Sequence, residues 1–204
     1  MDNKALYTLG YGLYVLTARE DGRDNGCIIN TMLQVTSNPL VAVIAVNKLN
    51  HTHDMILRTG QCNVSVLTVE APFAVYKHFG FQSGKTVDKF ADCERRVRAQ
   101  NGVVYLPKYT NAYFSLQVKE AKDMGTHTLF FADITDAVRL GEAESVTYAY
   151  YQANVKPKPQ PATTGKTVWR CKICGYEYVG ETLPADFICP LCKHGAADFE
   201  KITV

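Results

Sequence analysis

Residues 26–56 read GCIINTMLQVTSNPLVAVIAVNKLNHTHDMI, and this stretch decides the fold of the larger part of the chain. Its runs 26–36 and 40–47 are rich in β-branched side chains and are bounded by Gly, Asn and Pro, which is the pattern of strands. Asn30 and Thr31 interrupt the first run with side chains that donate and accept hydrogen bonds. The stretch therefore predicts neighbouring strands with a polar interruption.

The remaining chain shows more strand patterns than helix patterns. Further strands are predicted over residues 13–19, 61–69, 112–123 and 127–140. Helices are predicted over residues 52–60, with Thr52 as cap and Gly60 as end, over 71–80, with Pro72 in the first turn, and over 142–154. Because strands do not alternate regularly with helices, we expect a mainly β (α+β) fold. It would have a barrel-like β core and peripheral helices.

A polar cluster follows the second strand of the opening stretch. It consists of Asn47, Lys48, Asn50, His51 and Thr52, where a buried strand ends and a helix begins. The free N–H groups and the dipole of a helix amino terminus attract an anion such as a phosphate. The residues alone leave two interpretations open, an anion site or a polar loop with an ordinary helix cap.

Four cysteines near the carboxyl end are arranged as two C-x2-C pairs. Cys171, Cys174, Cys189 and Cys192 can present four thiolates tetrahedrally, a geometry that suits zinc or iron. A segment of fewer than about 40 residues buries too little surface to fold without such a metal. The cysteines are therefore interpreted as metal ligands.

Aromatic residues and prolines surround these cysteines more densely than a zinc ribbon requires. The pattern CxxCGYxY, LPxD, CPxC and a trailing Phe resembles rubredoxin over residues 168–202. That resemblance implies one iron held by four thiolates, with zinc possible as a substitute, and transfer of single electrons. Lys193 departs from the pattern, because the second cysteine turn usually has the Gly that the first turn keeps as Gly175.

A proline-rich segment separates the two parts of the chain. Residues 155–166 read VKPKPQPATTGK and have no apolar periodicity, which is typical of a linker. We therefore expect a first domain at 1–154 and a second domain at 167–204.

Composition and charge limit the possible partners. The chain has 204 residues, a formal net charge of +2 and a sequence pI of about 8.1, which does not indicate nucleic-acid binding. No apolar run approaches the roughly 20 residues of a membrane span, and residues 1–21 read as strand rather than as a signal peptide. The expected location is cytoplasmic, where CxxC pairs hold metal or carry out redox work.

The first domain is similar to the flavin reductase-like, or flavoredoxin-like, family, which has an FMN-binding split barrel. The similarity rests on GCIINT, VTSNP, VAVNK, HT and GxCNVSVL, and later on FGFQSGKTVDKF and GTHTLFFADI. It implies non-covalent FMN at the interface of a homodimer and hydride taken from NADH or NADPH. The sequence does not distinguish the two nucleotides.

The same resemblance implies roles for individual residues. Asn30 and Thr31 would contact the flavin or its ribityl chain. Cys27 is interpreted as a buried thiol, although it lies in the same strand and could touch the ring. Asn47, Lys48, Asn50, His51 and Thr52 would lie around the phosphate. Lys85 would lie on the approach to the ring and His127 near the flavin or nicotinamide edge.

A flavin reductase-like domain followed by a rubredoxin is the arrangement of the high-molecular-weight rubredoxins. The resemblance implies a relay from NAD(P)H through FMN to the iron and on to a redox protein, such as a flavodiiron protein that reduces O2 or NO. No side chain is assigned as a catalytic acid or base. One alternative is a free-flavin or ferric reductase with an incidental metal tail. The other is a non-enzymatic zinc-ribbon binding module.

Overall fold

A computed structural model of the chain describes residues 5, 8–91, 96–157, 167–172, 176–189 and 194–202. The chain folds as two compact units, the larger from Met1–Phe79 and Ser83–Lys156 and the smaller mainly from Pro157–Val204. The predicted linker lies largely outside the described residues, so the domain limits at residues 154 and 167 stay predictions.

The larger unit is a seven-stranded antiparallel sheet, and its strand order is β2-β1-β5-β6-β7-β4-β3. The strands are β1 (Tyr14–Glu20), β2 (Arg23–Ile29), β3 (Met32–Ser37), β4 (Leu40–Asn47), β5 (Gln61–Leu67), β6 (Thr110–Asp123) and β7 (His127–Arg139). The helices are α1 (His51–Thr59), α2 (Phe73–Gly80) and α3 (Tyr148–Tyr150), and α3 continues into a π-helix over Tyr151–Val155. The predicted mainly β class is confirmed.

The core of this sheet explains where α1 lies. Apolar side chains of β1, β4, β5 and β7, among them Leu16, Ile44 and Phe130, form one buried cluster together with Met55 and Ile56 of α1. Apolar side chains removed from water contribute roughly 25 cal/mol per Å² of buried surface. Burial of Met55 and Ile56 therefore fixes α1 against the sheet, with the polar turn before it at the end of β4.

The structure corrects three predicted elements. The run 26–36 is not one strand, because β2 ends at Ile29 and β3 begins at Met32, so Asn30 and Thr31 lie in the break. The predicted helix 142–154 is short: it begins only at Tyr148, since Ser145 and Thr147 form isolated β-bridges. Among the described residues of the predicted amino-terminal strand, strand structure begins at Tyr14.

The amino-terminal cap of α1 also differs from the prediction, whereas the carboxyl end of the helix agrees with it. The helix begins at His51, and Asn50, with φ −75° and ψ 129°, occupies the capping position without a side-chain cap bond. Thr52 is therefore inside the first turn. The helix ends at Gly60, whose φ of 68° is the left-handed conformation that glycine adopts without strain.

The smaller unit is a three-stranded antiparallel sheet with the order β10-β8-β9. Its elements are β8 (Val168–Cys171), β9 (Glu177–Val179), a 3-10 turn (Ala196–Asp198) and β10 (Phe199–Ile202). Among the described residues of both units, no helix combines the length and apolar character that a membrane crossing needs.

Candidate functional site

The polar turn after β4 is held by its own side chains and by the start of β7. Asn47 Oδ1 accepts a hydrogen bond from the Leu49 N–H at 2.8 Å, and the Asn50 N–H donates to the Asn47 carbonyl at 3.0 Å. Asn47 pairs with His127 across β4 and β7, and the Lys48 N–H donates to the Thr126 carbonyl at 3.0 Å. The sheet thus brings His127 beside the predicted phosphate turn, although 80 residues of sequence separate it from Asn47.

Lys48 has an acidic neighbour at this edge. Its Nζ lies 2.7 Å from Asp123 Oδ2, and both side chains are partly exposed. The hydrogen bond from Lys48, with a second from the Gly125 N–H, holds the pKa of Asp123 below its usual range. Lys48 is therefore available at the protein surface, and an incoming phosphate would compete with Asp123 for its ammonium group.

His51 and Lys85 lie in a second group of charges, at the first turn of α1. Lys85 Nζ is 3.8 Å from Asp54 Oδ2. Partial burial lowers the pKa of His51, and the positive charges of Arg23, Lys85 and Arg58 lower it further, against the opposing effect of Asp54. The neighbourhood of His51 therefore has more cations than anions, which favours binding of an anion.

Thr52 and Cys27 lie inside the protein rather than on its surface. Thr52 is fully buried, and its Oγ1 accepts a hydrogen bond from Asn25 Nδ2 at 3.0 Å. Burial raises the pKa of the Cys27 thiol, although Thr52 and the Lys89 ammonium act in the opposite direction. Cys27 is therefore a protonated buried thiol at neutral pH, and its predicted contact with a flavin ring stays a prediction.

Asn30 and Thr31 lie where β2 passes into β3. The Thr31 hydroxyl donates to Asn30 Oδ1 at 3.0 Å, and both residues are partly buried. The Thr31 carbonyl accepts a weak hydrogen bond from the Ala45 N–H at 3.4 Å, so this break lies against β4. Thr31 therefore lies beside Ala45 of β4, two residues before Asn47.

His53 and Thr128 form a buried link that sequence patterns did not identify. The His53 ring is nearly buried, with Nδ1 2.9 Å from Asp54 Oδ1 and Nε2 2.8 Å from Thr128 Oγ1. This link fastens the first turn of α1 to the start of β7. No local signal could have revealed it, because the two residues are 75 positions apart.

The two cysteine turns of the smaller unit have matching backbone geometry. The Cys171 N–H donates to the Tyr176 carbonyl, and the Cys189 N–H donates to the His194 carbonyl, each at 2.8 Å. Both are bonds to the fifth following residue, and each closes a loop that contains one C-x2-C pair. Predicted ligands Cys174 and Cys192, and also Lys193 and Gly175, lie outside the described residues.

The two described cysteine ligands lie in an aromatic shell. Cys171 and Cys189 have at most 1% of their surface exposed, and they form one apolar cluster with Phe199. Phe187 contacts the rings of Tyr178 and Phe199, with centroids 4.9 Å and 5.4 Å away. Further partly buried members of the cluster are Trp169, Tyr176 and Leu183. Such a shell excludes water from a bound metal, so the described residues fit an iron held by thiolates.

Two family models and one relative match both units of the chain in sequence. The flavin reductase like domain model matches residues 6–158, and the rubrerythrin, rubredoxin-like domain model matches residues 169–200. A high molecular weight rubredoxin of Moorella thermoacetica is 37% identical, in an alignment that covers 99% of this chain and all of that protein.

The chain belongs to the flavin reductase-like family and, within it, to the high-molecular-weight rubredoxins.

Two further proteins resemble a large part of this chain. A ferric-chelate reductase (NAD(P)H) of Archaeoglobus fulgidus is 38% identical over 80% of this chain and 96% of its own length. The crystal structure of an FMN-binding protein of Thermus thermophilus superposes with a TM-score of 0.59, at 20% identity over 65% of this chain and 72% of that one. At that identity the superposition shows a shared fold, and the split-barrel prediction is confirmed.

Proposed function

We propose that this protein is an NAD(P)H-dependent oxidoreductase that uses FMN and an iron on four cysteine thiolates to pass electrons to a redox protein. The observation that carries the proposal is the joining of two sites in one chain. The larger unit gathers polar and cationic side chains at the edge formed by β4, β7 and α1, and the smaller unit buries its described cysteine ligands among aromatic rings. Bound FMN would supply the conversion of a two-electron donor into single-electron steps.

The larger unit would bind FMN through three groups of residues. Lys48 and His51, at the end of β4 and the start of α1, would hold the phosphate, and Asn47 would keep the turn closed through its bond to the Leu49 N–H. Asn30 and Thr31 offer a carboxamide and a hydroxyl for the ribityl chain or ring edge. Lys85 and His127 would lie towards the ring and the nicotinamide.

The smaller unit would hold iron through Cys171, Cys174, Cys189 and Cys192. The matching bonds of Cys171 and Cys189 support two equivalent turns around one metal. The aromatic rings would exclude water, and backbone N–H groups near the sulfur atoms would set the reduction potential. Zinc would occupy the same thiolates without redox activity, which is why the metal must be measured.

A homodimer and a cytoplasmic location are further parts of the proposal. On the β3–β4 hairpin, the side chains of Leu33 and Val35 are 63% and 54% exposed, and Leu40 is 41% exposed. Three large apolar side chains on one hairpin are costly in water and favour coverage by a second subunit. The downstream partner would be a redox protein, with a flavodiiron protein as the specific candidate.

The decisive experiment is anaerobic stopped-flow mixing of the iron-loaded, FMN-loaded protein with NADH and, separately, with NADPH. The flavin absorbance and the ferric-thiolate absorbance should both decrease, the second no faster than the first and no slower than steady-state turnover with a protein acceptor. Iron reduction far slower than turnover would contradict the relay. Absence of both flavin and ferric-thiolate absorbance would favour the zinc-ribbon binding module.

A reductase for free flavin or ferric complexes is the second candidate function. It is favoured by the similarity to a protein named ferric-chelate reductase over 80% of this chain. Deletion of residues 155–204 distinguishes the two functions. The relay requires that the deletion abolish reduction of a protein acceptor while reduction of ferric chelates continues. Unchanged reduction of the protein acceptor would favour the simpler reductase.

A further inference from the structure

The loop after α2 is fastened to β2 at both of its ends. This loop, residues 83–89, carries Lys85. Arg23 donates from Nη2 to the Gly84 carbonyl at 2.8 Å. At the other end, the buried Lys89 donates from Nζ to the Gly26 carbonyl and to the Phe79 carbonyl, each at 2.8 Å. The loop is thus held against one short stretch of strand.

Asn25 lies between these two anchors and contacts the loop directly. Its side chain is nearly buried, with 2% exposed. A Cβ atom added at Gly84 would lie 2.3 Å from both Nδ2 and Oδ1 of Asn25, far inside van der Waals contact. Gly84 therefore packs its bare Cα on the carboxamide, and a larger residue there would have to displace either the loop or Asn25.

The same carboxamide is also bonded to α1. Asn25 Nδ2 donates to Thr52 Oγ1 at 3.0 Å, and Thr52 is fully buried in the first helical turn. This bond leaves the buried carboxamide little freedom to turn away, because turning would leave a buried donor without its hydrogen-bond partner. Asn25 thus touches the two segments that carry His51 and Lys85.

We propose that Asn25 is a positioning residue of the candidate flavin site: its buried carboxamide holds the start of α1 and the Lys85 loop in one fixed relation. The inference rests on the proposed function, since it assumes that both segments contact FMN. Binding sites need their groups held within about 0.5 Å, and surface loops reach that precision only when buried groups support them. Another link between these segments, the 3.8 Å ion pair of Lys85 and Asp54, is too long and too exposed to supply that support alone.

Gly84→Ala tests the contact, and Gly10→Ala is its matched control because a Cβ atom at Gly10 would meet nothing within 4 Å. The full-length protein is stripped of flavin and titrated with FMN, and binding is followed by the loss of flavin fluorescence. We expect Gly84→Ala to weaken FMN binding about tenfold, equivalent to about 1.4 kcal/mol. Gly10→Ala should stay within about twofold of the wild type.

The same substitution made in a Lys85→Ala protein distinguishes a positioning role from a general loss of stability. If Asn25 acts through the Lys85 loop, Gly84→Ala should cost little further FMN affinity once Lys85→Ala is present. If Gly84→Ala merely loosens the fold, the two losses should add. Additive losses, or a Gly84→Ala protein that binds FMN within about twofold of the wild type, would overturn the proposal.

Two controls keep the outcome interpretable. Should Gly84→Ala fail to fold, Asn25→Ala makes the same test from the other side of the contact, and equal FMN affinity in that variant and the wild type would equally overturn the proposal. Failure of the wild-type protein itself to bind FMN would instead refute the proposed function, and the two failures are therefore distinguishable.

Discussion

Two regions of the molecule differ in the sequence separation of the residues that they join. They are the cysteine turns of the smaller unit and the polar edge of the larger unit. Each cysteine turn is closed by a bond over five residues, from Cys171 to Tyr176 and from Cys189 to His194. The polar edge needs bonds over much longer separations, such as His53 to Thr128, 75 positions apart. A local site can be specified by spacing, whereas a site assembled across a sheet depends on the whole fold. Variants that damage one region and spare the other test this difference.

Removal of one metal ligand should have the largest effect, and it should be confined to the smaller unit. Cys171→Ala leaves three thiolates, and a bound structural metal contributes on the order of 10 kcal/mol to the folding of so small a unit. We expect loss of stoichiometric iron and of the ferric-thiolate absorbance, with FMN binding unchanged. Iron is measured by elemental analysis. Cys62→Ala, at a buried cysteine of the larger unit, is the control and should retain iron.

Removal of a buried carboxylate should damage the larger unit alone. Asp24 is 2% exposed and bonded to two arginines, with Arg98 Nη1 and Nη2 each donating at 2.8 Å and Arg96 Nη1 at 3.2 Å. Asp24→Ala removes the buried carboxylate from both guanidinium groups, which keep their bonds to the Phe90 and Gly102 carbonyls. We therefore expect a loss of about 3 kcal/mol in the free energy of unfolding. Urea denaturation followed by circular dichroism measures it.

The matched control for Asp24 is a partly exposed ion pair of the same unit. Asp133 Oδ2 lies 2.9 Å from Lys119 Nζ with both side chains partly exposed, so Asp133→Ala should cost less than about 1 kcal/mol. Iron content should be the same in both variants. Equal losses of stability at Asp24 and Asp133, or loss of iron from Asp24→Ala, would contradict the separation of the two regions.

A pH-dependent effect is expected at Lys89, again in the larger unit. Burial lowers the pKa of Lys89 from 10.5 to about 8, and the negative charge of the Cys27 thiolate, where it forms, acts in the opposite direction. Between pH 8 and 10.5 the unfolded chain therefore holds more protons than the folded protein, so stability rises with pH in this window. Relative to Lys89→Met, the wild-type free energy of unfolding should rise by up to about 3 kcal/mol across it.

This comparison is made by urea denaturation of both proteins at a series of pH values, which cancels the titration of the shared groups other than Cys27, whose pKa depends on Lys89. A difference that stays constant with pH, or that falls as pH rises, would contradict the assigned effect of burial. The iron centre should not alter the result, since Lys89 belongs to the larger unit.

The smallest effect is expected at the partly exposed Lys48. Lys48→Gln should weaken binding of FMN severalfold and leave binding of riboflavin, which has no phosphate, unchanged. Asp123→Asn is the control, because it removes the ionic partner of Lys48 and leaves the ammonium group in place. Fluorescence titration measures both ligands. Equal weakening of FMN and riboflavin would show that Lys48 does not bind the phosphate.

Much of the fold could be predicted from the sequence where the signal is local. The strands 40–47 and 127–140 and the end of α1 at Gly60 were predicted closely, because β-branched runs and a glycine with positive φ act within a few residues. The helix predicted over 142–154 forms only from Tyr148 onward, because residues before it pair with distant residues, as Ser145 does with Thr68. A tertiary pairing there replaced the local helical tendency.

By itself the sequence determined the metal-binding pattern, the strand-rich class and the polar turn from Asn47 to His51, since each depends on residues close together in the chain. Tertiary structure alone decided that Thr52 is buried, that His127 lies beside Asn47, and that Asn25 joins α1 to the Lys85 loop. The physical reason is that strand pairing and core packing bring together groups whose separation along the chain carries no local pattern. The cysteine turns close within themselves, whereas the candidate flavin site exists only when the sheet has formed.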